Sequence, residues 1–392
     1  MKRLMGACLA SVLLAVACRS GAATPPQAPD PPTARMTPLA AIGDGEGQLN
    51  LIAIQGYVDP AWSSAFQQTT KCKITTRYAA SPEQIASLMK DGGAGKWDMV
   101  SASGAAALGL IYSGDVQPMN TSLIPEWKNF QPAFQEPVFN TVRGVHYGIS
   151  VQWGPNSLLF NTKKFPNPPT SWAVIYDPSI KGLITVADDP MQIADAALYL
   201  SKTQPKLGIS DPYELTRKQF DAAVTLLKAQ QPLIKQYWAT PTDEIQLFDN
   251  GLVFAGPGSS YQTLQLELSD APVADTVPTE GITGWADSWM LATRAAHPNC
   301  AYKWAAYVTT PQVQALQALT YGEAPVNTKA CARMEALQSG SCGRYHANAA
   351  SSYFDAIKFW KTPLATCDDG TANCVAYDEW SAAWATVKAL KS

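Results

Sequence analysis

The feature that most constrains the fold is an alternation of short apolar runs with helical segments. Residues 48–54 form a β-rich apolar run after two glycines, and residues 97–100 form a second predicted strand. Between them Ser81 is a predicted N-cap, followed by a proline at the first helical position and a glutamine three residues after the cap. This alternation predicts an α/β fold with largely parallel sheets, in which ligands bind beyond the carboxyl ends of the strands.

The alternation continues through the later part of the chain. Residues 183–187 form a predicted strand that leads directly into the pair Asp188-Asp189 and a proline. The helical patterns cover residues 105–111, 193–202, 220–229, 243–247 and 302–308. A chain of 392 residues with this pattern is long enough for two domains.

The N-terminus has the pattern of an export signal. Lys2 and Arg3 precede an apolar run over residues 4–17, which is too short to span a bilayer and has the length of a signal peptide. The run ends in small residues before Cys18 and resembles a bacterial lipobox, although Ala15 stands where leucine is usual. We therefore predict a signal peptide over residues 1–17 and lipidation of Cys18, with a simple secretory signal as the alternative.

The segment that follows is rich in proline. Residues 18–46 contain six prolines and show no period of 2 or 3.6 residues. Such a composition is typical of an extended, disordered linker. We expect it to act as a tether between a lipidated cysteine and a folded body.

The cysteine content also indicates export. Of eight cysteines, one lies in the signal and one at the predicted lipidation position, which leaves six, an even number. Short loops favour the pairs Cys331–Cys342 and Cys367–Cys374, with Cys72–Cys300 as the remaining pair among 15 possible connectivities. A zinc site is the competing interpretation, but no C-x2-C spacing is present and the three histidines are far apart in sequence. We predict disulfides and no metal.

Motifs of known catalytic chemistry are absent from the sequence. It contains no G-x-S-x-G, no Walker loop, no H-E-x-x-H and no G-x-G-x-x-G after a strand. The acidic pair Asp188-Asp189 could in principle serve a hydrolase, but neighbouring residues at a strand end point in opposite directions. The net charge of −3 shows no excess of basic residues of the kind that indicates nucleic-acid binding. We therefore expect a binding protein without a cofactor rather than an enzyme.

Several short stretches carry a family resemblance, and they occur in family order. They are residues 56–60, 97–100, 147–154, 160–163, 168–173, 176–178, 237–238, 285–288 and 322–327. From about residue 47 to residue 327 the chain resembles the spermidine/putrescine-type periplasmic solute-binding proteins of ABC importers. Residues beyond 330 match this pattern poorly.

The resemblance implies a two-lobed periplasmic-binding-protein fold of type II, with the ligand cleft between lobes joined by crossing strands. The first lobe would comprise residues 47–152 and about 288–330, and the second lobe residues 153–287 and about 331–392. The residues that stand at the family's ligand-binding positions are Tyr57, Ser103, Asp189, Gln192, Trp285, Asp287 and Glu323. Carboxylates at these positions would bind ammonium groups, and the tryptophan would pack on a methylene chain.

The departures from the family pattern concern the same cleft. Ile54, Ala105 and Gly256 stand where the family has aromatic side chains. Gln192 replaces a glutamate, and Glu323 takes a place usually held by tyrosine. The resemblance therefore implies a wider cleft with a less complete aromatic sleeve, which remains anionic.

The functional expectation is a monomeric receptor of an ABC importer, anchored at the cell surface or in the periplasm. It would capture a small organic cation, a polyamine such as putrescine or spermidine, by hinge closure and deliver it to a membrane permease. A bulkier or non-polyamine solute is the first alternative. A chemosensory lipoprotein and an extracytoplasmic hydrolase are the others.

Overall fold

The structure is a computed structural model that describes residues 28–79 and 81–390. The predicted signal peptide and Cys18 lie outside the described residues. Within the described part of the chain, no helix is both long enough and apolar enough to cross a membrane.

The described chain alternates strands and helices as the sequence predicts. The strands are β1 (Gln48–Ala53), β2 (Lys73–Tyr78), β3 (Met99–Ser103), β4 (Thr141–Val142), β5 (Val145–His146), β6 (Gly148–Asn161), β7 (Ile184–Ala187), β8 (Ile234–Trp238), β9 (Ala255–Gly258), β10 (Val273–Thr276), β11 (Ile282–Leu291), β12 (Ala324–Pro325) and β13 (Ile357–Phe359). The helices are α1 (Pro60–Thr70), α2 (Pro82–Met89), α3 (Gly104–Ser113), α4 (Gln192–Thr203), α5 (Arg217–Gln230), α6 (Pro241–Asp249), α7 (Ser260–Leu268), α8 (Pro298–Val308), α9 (Pro311–Tyr321), α10 (Ala330–Leu337), α11 (Ser341–Arg344), α12 (Ser351–Asp355) and α13 (Tyr377–Ala389).

One mixed sheet connects two halves of the molecule. Its strands lie in the order β2-β1-β3-β11-β6-β9-β7-β8, with β10 and β12 paired to β6 and β13 paired to β11. We call β1 to β3 and their helices the first lobe, and β7 to β9 and their helices the second lobe. The two long strands β6 and β11 run through the centre and contribute to both lobes.

The expectation of largely parallel sheets is correct for the strands at the two edges of the sheet but not for its centre. Strand β1 pairs in parallel with β2 and β3, and β7 pairs in parallel with β8 and β9. The central pairs β3–β11, β11–β6 and β6–β9 are antiparallel. The physical reason is that β6 and β11 run in opposite directions between the lobes, so they bring antiparallel pairing into the middle of the sheet.

The predicted start of α2 is confirmed. Ser81 is the N-cap, its hydroxyl accepts a hydrogen bond from the backbone N–H of Gln84 at 3.3 Å, and proline occupies the first turn. This arrangement satisfies one of the N–H groups that have no partner inside the helix.

Replacing Ser81 with alanine is expected to lower the free energy of unfolding by about 1 kcal/mol, because the hydroxyl acceptor is lost. Urea unfolding followed by circular dichroism measures the change. A Ser81→Asn variant keeps an acceptor and should unfold close to the unchanged protein. Equal stability of Ser81→Ala and the unchanged protein would contradict the role of the cap.

The three favoured disulfide pairs are present in the structure. Cys331–Cys342 joins α10 to α11, and Cys367–Cys374 closes a loop before α13. Cys72–Cys300 joins positions 228 residues apart and connects the segment before β2 to α8. In the described residues no cluster of His, Cys, Asp and Glu could hold a metal ion.

The described part of the proline-rich segment, residues 28–46, lies on the folded body rather than leading freely away from it. Residues 28–46 contain neither helix nor strand, but their polar groups bond to the first lobe. The hydroxyl of Thr33 donates to the carbonyl oxygen of Val116 at 2.8 Å, and the Glu46 carboxylate accepts the backbone N–H of Cys300 at 2.9 Å. Prolines exclude regular ladders here, and the backbone N–H of Gly43 donates instead to the Asn299 side chain at 2.7 Å.

Residues after 330 contact both lobes, although we predicted that they belong to the second. Lys361 is 3% exposed and forms ion pairs with Asp211, Glu214 and Asp368 on the side of the second lobe. On the side of the first lobe, the carbonyl oxygen of Trp360 would lie 1.8 Å from a Cβ at Gly104, so only glycine permits this approach. The C-terminal segment therefore bridges the two lobes beside the crossing strands.

Candidate functional site

A cavity of about 240 Å³ lies between the lobes. Its second-lobe wall includes side chains from α4, β8 and α7, its first-lobe wall is the segment that follows α9, and β11 contributes from the centre. Five aromatic side chains contribute to the wall: Trp238, Tyr261, Trp285, Tyr321 and Trp360. The polar lining comes from Asn156, Gln192, Asp195, Ser259, Gln262 and Glu323.

Strand β11 places three functional side chains on one face. Side chains alternate between the two faces of a strand, so Thr283, Trp285 and Asp287 point to the same side. The only irregularity between β11 and β6 falls after Asp287 and leaves this alternation intact. Gly154 lies opposite Trp285, and a Cβ there would approach the indole to 2.6 Å. Glycine at this position leaves room for the ring.

A buried hydrogen-bonded group forms the first-lobe end of the site. The Tyr57 hydroxyl donates to Oδ2 of Asp287 at 2.6 Å, and Asp287 is 5% exposed. Burial raises the pKa of Asp287 to about 6, and the hydrogen bond from Tyr57 opposes this rise. Burial and the nearby charge of Asp287 raise the pKa of Glu323 well above its usual range. Burial and the same two carboxylates raise the pKa of Tyr57, which therefore acts as a neutral donor.

A second carboxylate group lies at the other end of the cavity. Asp195 is on α4, one turn after Gln192, and both line the cavity. The Thr283 hydroxyl donates to Oδ1 of Asp195 at 2.6 Å and in turn accepts from the amide of Asn156 at 2.8 Å. Burial raises the pKa of Asp195 to about 7, the Thr283 hydrogen bond opposes this rise, and the charge of Asp189 adds to it.

These carboxylates have no basic partner in the part of the chain that the structure describes. None of the ion pairs found there involves Asp195, Asp287 or Glu323. Burial without a counter-charge destabilises the ionised form of a carboxylate, and the pKa of each of these groups is accordingly raised. The site is therefore arranged so that a cation entering the cavity would relieve this cost.

The structure brings five of the seven predicted site residues together. Gln192, Trp285 and Glu323 line the cavity, and Tyr57 and Asp287 lie directly behind Glu323.

Ser103 and Asp189 are placed elsewhere. Ser103 precedes α3 and pairs with Asp287 across neighbouring strands, but it is outside the cavity lining. Asp189 also lies outside the lining, because its Oδ1 accepts the backbone N–H of Met191 at 2.8 Å in the turn before α4. Burial raises the pKa of Asp189 to about 6, and the charges of Glu83 and Asp188 contribute.

Sequence reasoning missed Asp195 and four aromatic residues of the wall. A signal for Asp195 existed, because it follows Gln192 by three residues on a predicted helix and must share its face. Trp238 lies in a stretch that carries the resemblance, whereas Trp360 lies in the region where the resemblance ends. The expected loss of the aromatic sleeve is not found in this cavity, since other aromatic side chains supply the wall.

Comparisons with known proteins identify the family of this chain. The sequence pattern of the family described as bacterial extracellular solute-binding protein matches residues 61–341. The spermidine/putrescine-binding periplasmic protein of Escherichia coli K12 is 25% identical over 289 residues, covering 72% of this chain and 78% of that protein. The putrescine/cadaverine-binding protein of Pseudomonas aeruginosa is 23% identical over 281 residues, covering 67% of this chain and 75% of that protein.

A solved structure shows the same fold. The spermidine/putrescine ABC transporter substrate-binding protein of Streptococcus pneumoniae superimposes with a TM-score of 0.67 at 17% identity, covering 88% of this chain and 98% of that protein. The two-lobed fold expected from the sequence is therefore confirmed.

Proposed function

This chain belongs to the bacterial extracellular solute-binding proteins, and we propose that it is an ABC-importer receptor that captures a small organic cation of the polyamine type. The observation that carries this proposal is the set of carboxylates around one aromatic-lined cavity without a basic partner among the described residues. The relatives named above bind putrescine with spermidine or cadaverine, and they support the same ligand class at low identity.

The chemistry of the cavity suits an alkyl ammonium ligand. Ammonium groups form charge-assisted hydrogen bonds with carboxylates, and methylene chains pack on aromatic faces with an added cation–π attraction. Glu323 and Asp195 offer the carboxylates, and Trp285 offers an aromatic face between them. A volume of about 240 Å³ is small among ligand pockets, so it favours a slender solute over a bulky one.

We also propose that the two lobes close on the ligand. The cavity is lined from both lobes, so a bound cation would favour the state in which both sets of contacts are made. The lobes of this proposal are those predicted from the sequence, apart from the C-terminal segment that contacts both. A membrane permease would then bind the closed form.

Export and lipid anchoring belong to the same proposal. The three disulfides are of the kind that persists in an oxidising compartment, and the Escherichia coli relative is named as periplasmic. The lipobox-like run before Cys18 would supply the anchor. Mass spectrometry of the mature N-terminus tests this part separately.

Thermal unfolding in the presence of small solutes tests the ligand class. Putrescine, cadaverine and spermidine should raise the melting temperature in proportion to the logarithm of their concentration, since they bind only the folded state. 1,4-Butanediol has the length of putrescine without charge, and succinate has the opposite charge, so neither should produce a shift. Stabilisation by succinate or by sugars, with none by amines, would contradict the proposal.

A further inference from the structure

We propose that Asp195, and not Asp189, binds the second-lobe end of the ligand, so that a bound dication lies between Asp195 and Glu323. This inference rests on the proposed function and specifies which second-lobe carboxylate the site uses.

The first step concerns α4. The resemblance places a carboxylate at Asp189 and a second acidic position at residue 192, which is glutamine here. In the structure Asp189 accepts a backbone N–H in the turn before the helix and is not part of the cavity lining. Asp195 lies one turn after Gln192, about 4.5 Å further along the helix axis, and it lines the cavity. The second-lobe negative charge is therefore displaced along α4.

The second step concerns the position of this charge on β11. The Thr283 hydroxyl holds Oδ1 of Asp195 at 2.6 Å, which places the carboxylate beside β11. Thr283 is itself held by the amide of Asn156 at 2.8 Å. The position of Asp195 is thus determined by a hydrogen-bonded chain from Asn156 on β6 through Thr283 on β11 to the carboxylate.

The third step concerns what lies between the two carboxylates that line the cavity. Asp195 lines it from α4 and Glu323 from the segment after α9, and Trp285 of β11 lines it as well. A ligand that neutralises both carboxylates must carry two positive charges, and its apolar chain can pack on Trp285.

Calorimetry with spermidine and 1,8-diaminooctane tests the inference. Asp195→Asn should lower the affinity for both ligands at least about tenfold, because one charge-assisted contact is lost. Asp189→Asn keeps an acceptor for the Met191 N–H and should change these affinities less than about threefold.

A matched ligand separates charge from length. 8-Amino-1-octanol has the length of 1,8-diaminooctane with a single charge, so its weaker binding should be nearly insensitive to Asp195→Asn. Thermal unfolding of both variants establishes that they are folded.

Three results would overturn the inference. If Asp189→Asn lowered the affinity and Asp195→Asn did not, the second-lobe contact would belong to Asp189 rather than to Asp195. An equal loss of affinity for 8-amino-1-octanol and 1,8-diaminooctane in Asp195→Asn would exclude a contact between Asp195 and the second charge. If no amine binds the folded, unchanged protein, the proposed function itself fails together with this inference, whereas the first two results leave the proposed function intact.

Discussion

Asp287→Asn is expected to weaken binding of an organic cation by about 2–5 kcal/mol, the usual effect of removing one partner from a buried charge pair. Asp287 is 5% exposed and accepts the Tyr57 hydroxyl at 2.6 Å, so its charge is poorly solvated until a cation arrives. The asparagine is nearly isosteric and can still accept from Tyr57, which separates the loss of charge from a loss of packing. Isothermal titration calorimetry with spermidine measures the change.

We expect Glu323 to limit the loss of cation affinity in the Asp287→Asn variant. Because the charge of Asp287 raises the pKa of Glu323, removing that charge should allow Glu323 to ionise more readily and to compensate in part. We therefore expect the double variant Asp287→Asn/Glu323→Gln to bind no amine detectably.

The exposed Asp44 provides a control, since Asp44→Asn removes the same formal charge at the surface and should leave the affinity unchanged. Unchanged affinity in the double variant would exclude these carboxylates from the site.

Asp195→Asn is expected to stabilise the ligand-free protein by about 2–4 kcal/mol at pH 8 and to have little effect near pH 4. The pKa of Asp195 rises from 3.8 to about 7 on folding because the carboxyl group is buried. A group whose pKa is raised on folding favours the folded state while it is protonated. That contribution is complete below pH 3.8 and is lost as the pH rises through about 7. The neutral asparagine does not undergo this loss.

Urea unfolding of both proteins at pH 4 and pH 8 measures this difference. Asp243 is a control whose pKa shifts in the opposite direction, because hydrogen bonds from Thr240 lower the pKa of its carboxyl group. Asp243→Asn should therefore lose stability at pH 8 relative to the unchanged protein.

With saturating spermidine, the unchanged protein should gain stability at pH 8 and Asp195→Asn should gain much less. An Asp195→Asn protein less stable than the unchanged protein at pH 8 would contradict the assignment of an unpaired, buried carboxylate.

The features that sequence reasoning predicted correctly are the local ones. The cap at Ser81, the helix over α4 and the short-loop disulfide Cys331–Cys342 depend on residues near one another in the chain. The mixed pairing of the sheet was not predicted, because it depends on how β6 and β11 cross between lobes. The contacts of residues 28–46 were missed for a related reason, since their partners lie far away in sequence.

The sequence by itself determined the alternating elements and the family resemblance that pointed to Tyr57, Trp285 and Asp287, and it favoured the disulfide pairs that the structure contains. Each of these follows from periodicity, spacing or short stretches of residues in order. The tertiary structure decided which carboxylate faces the cavity, because the contact that positions Asp195 comes from Thr283, 88 residues later in the chain. It also decided the aromatic wall, in which Trp360 joins side chains from both lobes. Charge and aromatic content can be counted in a sequence, but only the packing of distant segments brings them to one cavity.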